Sequence, residues 1–166
     1  MQTAWKLLGV ALLVSGCRGL SNGSPGPTWL SREPEQQIVQ LERQLRGFDV
    51  AMLEAGHRYV ELYWAGRDAN WDAAAYHVQK IRLAIENGLE RRPQRADSAR
   101  PFLADPLAAM EAAISARSSE FFGARFEGLT AGCNACHAAE QVAFFEIRPP
   151  QVRLSPIRFE PRHPED

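Results

Sequence analysis

Between Pro34 and Ala65 the apolar positions fall at Ile38, Leu41, Leu45, Phe48, Met52, Ala55, Tyr59 and Leu62, in alternating steps of three and four residues. That spacing keeps one stripe on one side of a helix and predicts a single helix from Pro34 to about Ala65. Gly47 and Gly56 interrupt it. Each glycine costs a helix about 1 kcal/mol relative to alanine, so both are expected to mark the close approach of another backbone or a flat ligand. Gly66 is expected to close the helix, with Arg67-Asp68-Ala69-Asn70 forming the turn. A second helix is predicted from Trp71 to about Leu89, with Asn70 as N-cap and Asp72 in the first turn, where the helix dipole favours a carboxylate. Its inner face is Trp71, Ala74, Val78, Ile81, Ile85 and Leu89, and Arg91-Arg92-Pro93 ends it. After a connection over 94–104, Asp105-Pro106 reads as a cap with proline at the first helical position, and Leu107, Met110 and Ile114 line a short third helix. A fourth opens at Ser118 or Ser119, carries Phe122, Phe126, Leu129, Cys133 and Cys136 on one stripe, and runs to about Phe145 before Pro149-Pro150.

Four amphipathic helices with mostly short connections predict an all-α fold, a four-helix bundle over residues 34–147. The tail over 148–166 carries Pro149, Pro150, Pro156, Pro161 and Pro164 and is expected to be extended, with Val152, Leu154, Ile157 and Phe159 packing along the bundle. Composition agrees: at 45% hydrophobic residues the chain is too apolar to be disordered. Nineteen Lys and Arg against 20 Asp and Glu leave a net charge of −1, with no basic footprint for nucleic acid and no acidic tail.

Lys6 followed by the apolar run Leu7–Val14 has the form of a secretory signal, too short to span a bilayer as a mature helix. Val14-Ser15-Gly16-Cys17 resembles a bacterial lipobox. The resemblance implies a signal peptide over 1–16, lipidation of Cys17, and attachment to a membrane surface facing the periplasm, inner or outer membrane being open. An ordinary signal peptide cut nearby, with Cys17 incidental, is the alternative. Residues 17–33, with Asn22-Gly23-Ser24-Pro25-Gly26-Pro27, read as a flexible tether, and Trp29 and Leu30 are placed to dock on the domain or on lipid headgroups.

The two other cysteines belong to Cys133-Asn134-Ala135-Cys136-His137, the c-type haem attachment pattern. Residues three apart on a helix face the same way, so two thiols can meet two vinyl groups on one porphyrin edge while the adjacent imidazole takes an axial position on iron. One covalent haem c is therefore expected, with His137 as proximal ligand. A thioredoxin-like thiol pair would sit where a strand feeds a helix, whereas both flanks here read as helical. Zinc needs four ligands, and His57, His77 and His163 are scattered singly. A structural disulfide between Cys133 and Cys136 leaves His137 without a role.

The motif Leu129-Thr130-Ala131-Gly132-Cys133-Asn134-Ala135-Cys136-His137, near the chain's end on the last helix of an expected bundle, resembles the class II c-type cytochromes, the cytochrome c′ family. The resemblance covers roughly residues 35–147. The chain departs from the family in Ala138-Ala139-Glu140-Gln141 after the histidine and in the long proline-containing tail. Family members with a methionine on the first helix are six-coordinate electron carriers, and those with an apolar residue there bind or buffer small gases such as nitric oxide. A membrane-tethered single haem suits shuttling between redox proteins or membrane complexes, so an electron carrier is expected, with a five-coordinate gas-binding protein as the alternative; no nucleophile motif and no His/Glu pair at metal-ligand spacing accompanies the motif, so an enzyme is not expected. Met52, within the first stripe, is the expected sixth ligand, with His57, Met110 or an empty site as the other readings. Pairing into a homodimer is a family-level expectation.

Among the remaining residues, Tyr59, Tyr63, Trp64, Trp71 and Tyr76 are expected to pack around the first turn. Arg82, Arg91, Arg92 and Arg95 read as a solvated face from which one guanidinium can reach a haem propionate. His77 is expected to be partly buried packing.

Overall fold

The computed structural model describes residues 29–158, so Cys17, the export segment, Phe159 and His163 lie outside the described residues. The described chain is all-α. Its helices are α1 (Pro34–Leu45), α2 (Phe48–Arg67), α3 (Trp71–Arg91), α4 (Ala96–Ala104), α5 (Pro106–Ser115) and α6 (Ser119–Ala139), with a 3₁₀ turn at Pro93–Arg95. The described residues fall into two units, 29–41 and 42–158. In the first, the start of α1 is tied by Ser31: its N–H donates to Gln40 Oε1 (2.7 Å) and its carbonyl accepts from Gln37 Nε2 (2.7 Å). No side chain of α1 is buried.

The single first helix expected from Pro34 to Ala65 is in fact broken. Arg46 takes a left-handed conformation (φ 54°), Gly47 is extended, and α2 starts at Phe48. Asp49 holds the break: its carboxylate accepts the Gly47 N–H (3.1 Å) and pairs with Arg46. Three more expectations are corrected. The connection over 94–104 is mostly helical, as α4, because Ala99 and Phe102 give it a buried face. Asp105 makes no side-chain cap, although Pro106 does open α5. The last helix stops at Ala139 rather than Phe145, where Gln141 turns left-handed (φ 62°) and reverses the chain.

In the second unit α2 packs along α3, α5 packs on α3 and α6, and α6 also meets α2 and α4. The core is the expected stripes of α3 (Ala74, Val78, Ile81, Ile85) and α6 (Phe122, Phe126, Leu129), closed by Leu62, Leu107, Met110 and Ile114. Asn70 and Ser118 cap α3 and α6, accepting from the N–H of Ala73 (3.0 Å) and Phe121 (3.3 Å). The closest approach is at Gly66, where a Cβ would lie 2.0 Å from Phe122 Cζ; at Gly47 it would lie 3.1 Å from Asp49 Oδ1, and at Gly56 it would meet no protein atom within 4 Å.

His77 is more deeply buried than expected, at 5% exposed; burial first, then the Arg58 charge, pushes its pKa down to about 4 and leaves it neutral. Arg82 does not lie on a free solvated face. It forms a two-point pair with Glu111 of α5 (2.8 and 2.8 Å). The aromatic group packs around α2 as expected, except for Tyr76, which is exposed under Arg58 and Lys80. Over 148–158 the tail forms no helix or strand, and Val152, Leu154 and Ile157 are exposed rather than packed. It is fastened instead by Arg153, whose Nη2 donates to both Asp68 carboxylate oxygens (2.6 and 2.7 Å) while the guanidinium lies over the Trp64 ring, 4.7 Å from its centroid.

α2 ends in a Schellman turn. The Asn70 N–H donates to Ala65 O (2.9 Å) and the Ala69 N–H to Gly66 O (3.1 Å), with Ala69 at φ 54°. A Cβ in that conformation is strained by about 1 kcal/mol, which glycine relieves at some cost in unfolded-state entropy. Ala69→Gly is therefore expected to raise the unfolding free energy by about 0.5 kcal/mol, read from the urea midpoint. A lower midpoint would show that the turn carries no such strain.

Candidate cofactor-attachment site

The last turns of α6 are held on two sides. On one, Gly132 lets Pro106 and Phe102 press against the helix; a Cβ there would lie 2.7 Å from Pro106 Cγ. On the other, the Tyr59 hydroxyl of α2 shares a hydrogen bond with Thr130 Oγ1 (2.7 Å), and Thr130 Oγ1 donates to Phe126 O (2.8 Å). Burial raises the Tyr59 pKa to about 12, so this bond joins neutral hydroxyls. Along the same seam the Tyr63 ring meets Phe126 (5.0 Å) and Phe122 covers Gly66. Positions on α2 rise as those on α6 fall, so the two helices are antiparallel. Carried two turns further, that register brings Met52 level with His137.

Met52 is half-buried against the core, and Gly56, one turn on, faces open space. The other two ligand candidates do not share this position. His57 is exposed, and Met110 is fully buried among the core residues of α5.

Cys133 and Cys136 lie one turn apart on α6, half-buried, with both thiols free. Burial first, then the proximity of Cys136, pushes the Cys133 thiol up to about 12. Burial also raises the Cys136 pKa, opposed by a hydrogen bond with Ser98. Thiol–disulfide chemistry needs a depressed thiol pKa. Here the shifts run the other way, and no strand precedes the pair among the described residues. Neutral thiols on one helix edge suit addition to a vinyl carbon.

The imidazole of His137 is oriented by the chain that follows it: Nδ1 lies 2.6 Å from the carbonyl oxygen of Phe145. A carbonyl only accepts, so Nδ1 donates to it, which leaves Nε2 as the nitrogen available to a metal. Around the end of α6, Glu140 pairs with Arg95 and accepts from Ser98, and the Arg95 guanidinium lies over the Phe48 ring (5.8 Å).

These features fit a haem: a donor set of two free thiols and one oriented imidazole, beside a helix face left open at Gly56. Cys133, Cys136 and His137 are brought together, and Met52 lies on the facing helix. Arg95 belongs to the arginine group read from the sequence, whereas Asn134, Phe145, Ser98 and Glu140 are neighbours that no sequence pattern indicated. Asn134 is one of the motif's free positions, Phe145 acts through its backbone, and the rest come from a segment read as a connection or lie past the motif. No protein-family model, no curated protein sequence and no solved structure matches the chain.

Proposed function

We propose that the chain carries one haem c, bound by thioethers from Cys133 and Cys136 with His137 as proximal ligand, and that it works as an electron carrier of the cytochrome c′ kind. The observation that supports this most is the pairing of two free, neutral thiols with a histidine whose Nδ1 is already engaged by a backbone carbonyl. In this reading α2, α3, α5 and α6 are the four helices of the bundle, α4 is an added element, and Cys133, Cys136 and His137 of α6 would hold the haem. Bound haem supplies a one-electron iron couple. The protein's own part is to hold the ring by two bonds, to present Nε2, and to shield one face with α2. Arg95, whose charge reaches Cys136, would balance a propionate. No catalytic step is proposed.

Export and lipidation of Cys17 belong to the same proposal, since haem c is attached outside the cytoplasm. On this reading the N-terminal lipid holds the domain near its redox partners; the described residues contain no helix long and apolar enough to cross a membrane. The open space beside Gly56 favours a second reading, a five-coordinate haem that binds a small gas.

Thioethers survive denaturation. A haem stain is therefore expected to follow the polypeptide on a denaturing gel, and replacing His137 is expected to abolish the stained species, because ligation is coupled to folding. A chain left colourless by acidified acetone would end the haem proposal.

A further inference from the structure

We propose that Asn134 is a positioning residue for the haem iron: it clasps the returning chain so that the Phe145 carbonyl holds His137 in the tautomer and ring orientation its Nε2 needs. This rests on the haem reading above.

The clasp has two bonds to one residue. Asn134 Nδ2 donates to Ile147 O (2.9 Å), and Asn134 Oδ1 accepts the Ile147 N–H (2.8 Å). Both backbone groups of Ile147 are thereby fixed to a side chain three positions before His137, on the same side of α6. Between them the chain makes a second Schellman turn: the Val142 N–H donates to His137 O (2.8 Å) and the Gln141 N–H to Ala138 O (3.1 Å). The Phe145 N–H then donates to Val142 O (2.9 Å), which aims the Phe145 carbonyl back at the helix.

The side chains of this segment do not anchor it. Phe144 and Phe145 are 76% and 60% exposed and touch each other. Ile147 packs against the core, so its side chain and the Asn134 amide together set where the segment ends. His137 is thus tied at both levels, its own carbonyl to Val142 and its ring to Phe145. Opening the clasp frees the far end of the loop and with it the acceptor for Nδ1–H. A histidine whose second nitrogen donates to a carbonyl is a stronger ligand to oxidised iron, so the clasp is expected to lower the reduction potential.

The test uses the haem-loaded chain. In proton spectra the exchangeable Nδ1–H signal of His137 should exchange slowly in the wild type and at least tenfold faster in Asn134→Ala, whose reduction potential should rise. Asn134→Asp keeps the acceptor for the Ile147 N–H but loses the donor, and should fall between the two. Phe144→Ala should match the wild type in both readouts. A residue that merely secures the tail would change stability and leave potential and exchange alone; that result in Asn134→Ala overturns the proposal. If Asn134→Ala fails to mature, Asn134→Asp and the wild type still decide it. One clasp protects both protons, so the Ile147 amide and the His137 Nδ1–H, each measured against its own unprotected exchange rate, should be slowed by factors within tenfold of each other, and a wider gap overturns it. A colourless chain removes the haem reading and this inference together, whereas a loaded chain with unchanged readouts removes only this one.

Discussion

Gly66→Ala is expected to lower the unfolding free energy by about 3 kcal/mol, although alanine is the better helix former by about 1 kcal/mol. The conflict is decided by space. A Cβ at position 66 would lie 2.0, 2.3 and 2.4 Å from three atoms of the Phe122 ring. That ring is 3% exposed. It is stacked on Phe126 (5.8 Å between centroids) and met edge-on by Trp71 (6.1 Å). It has no free direction in which to move, so the helices must separate. The measurement is a urea titration, in which the Gly66→Ala midpoint should fall with little change in slope. Gly66→Ala combined with Phe122→Leu should recover part of the loss, because the smaller side chain vacates the space the methyl needs. Full additivity of the two changes would show that Gly66 and Phe122 do not touch.

Gly66 also shows how far the sequence could be read. Its place at the end of a periodic stripe made it look like a helix terminator, yet α2 continues to Arg67 and the left-handed residue is Ala69. Periodicity reports which side of a helix is apolar and nothing about which partner lies against it. For that reason the inner face of α3 and the first half of α6 were legible: each is a regular stripe facing a core. The break at Arg46-Gly47 was not, because the stripe continues through it and the cause is a carboxylate two residues beyond. α4 was hidden for the opposite reason. Pro101 sits inside it and only Ala99 and Phe102 are buried, so the segment reads as a loop. The tail followed the same logic. Its apolar residues are exposed, and a single arginine makes the attachment, through Asp68 and the Trp64 ring.

In the candidate site, the residues with distinctive side-chain chemistry could be named in advance, and the geometry that prepares them could not. Cys133, Cys136 and His137 are adjacent in a short pattern. What orients His137 is the backbone carbonyl of Phe145, and any residue can supply a carbonyl. The clasp by Asn134 depends on where Ile147 returns, which follows from a left-handed Gln141 that carries no glycine signal.

Met52→Leu is the substitution expected to change behaviour most, and it separates the two functions proposed for the haem. Met52 lies on the face of α2 that turns toward α6, half-buried, with Gly56 and its open space one turn away. The register set by Tyr59 with Thr130 and by Tyr63 with Phe126 carries it level with His137. A thioether from that position would complete a His–Met iron, the ligand pair that raises the potential of a haem and suits an electron carrier. The blander account is that a methionine on an apolar stripe fills space, since its flexible side chain adapts to irregular gaps. Leucine is close to methionine in volume, so the swap should cost less than about 1.5 kcal/mol and leave the fold in place. If sulfur binds iron, the wild type is low-spin and takes up carbon monoxide slowly, while Met52→Leu is high-spin and takes it up at least a hundredfold faster. His57→Ala should leave the spectrum unchanged, because His57 is exposed, well away from Met52 around α2. Should the wild type already be high-spin and bind carbon monoxide readily, Met52 is packing. The sixth position is then left to a small gas, and its capture replaces electron transfer as the proposed function.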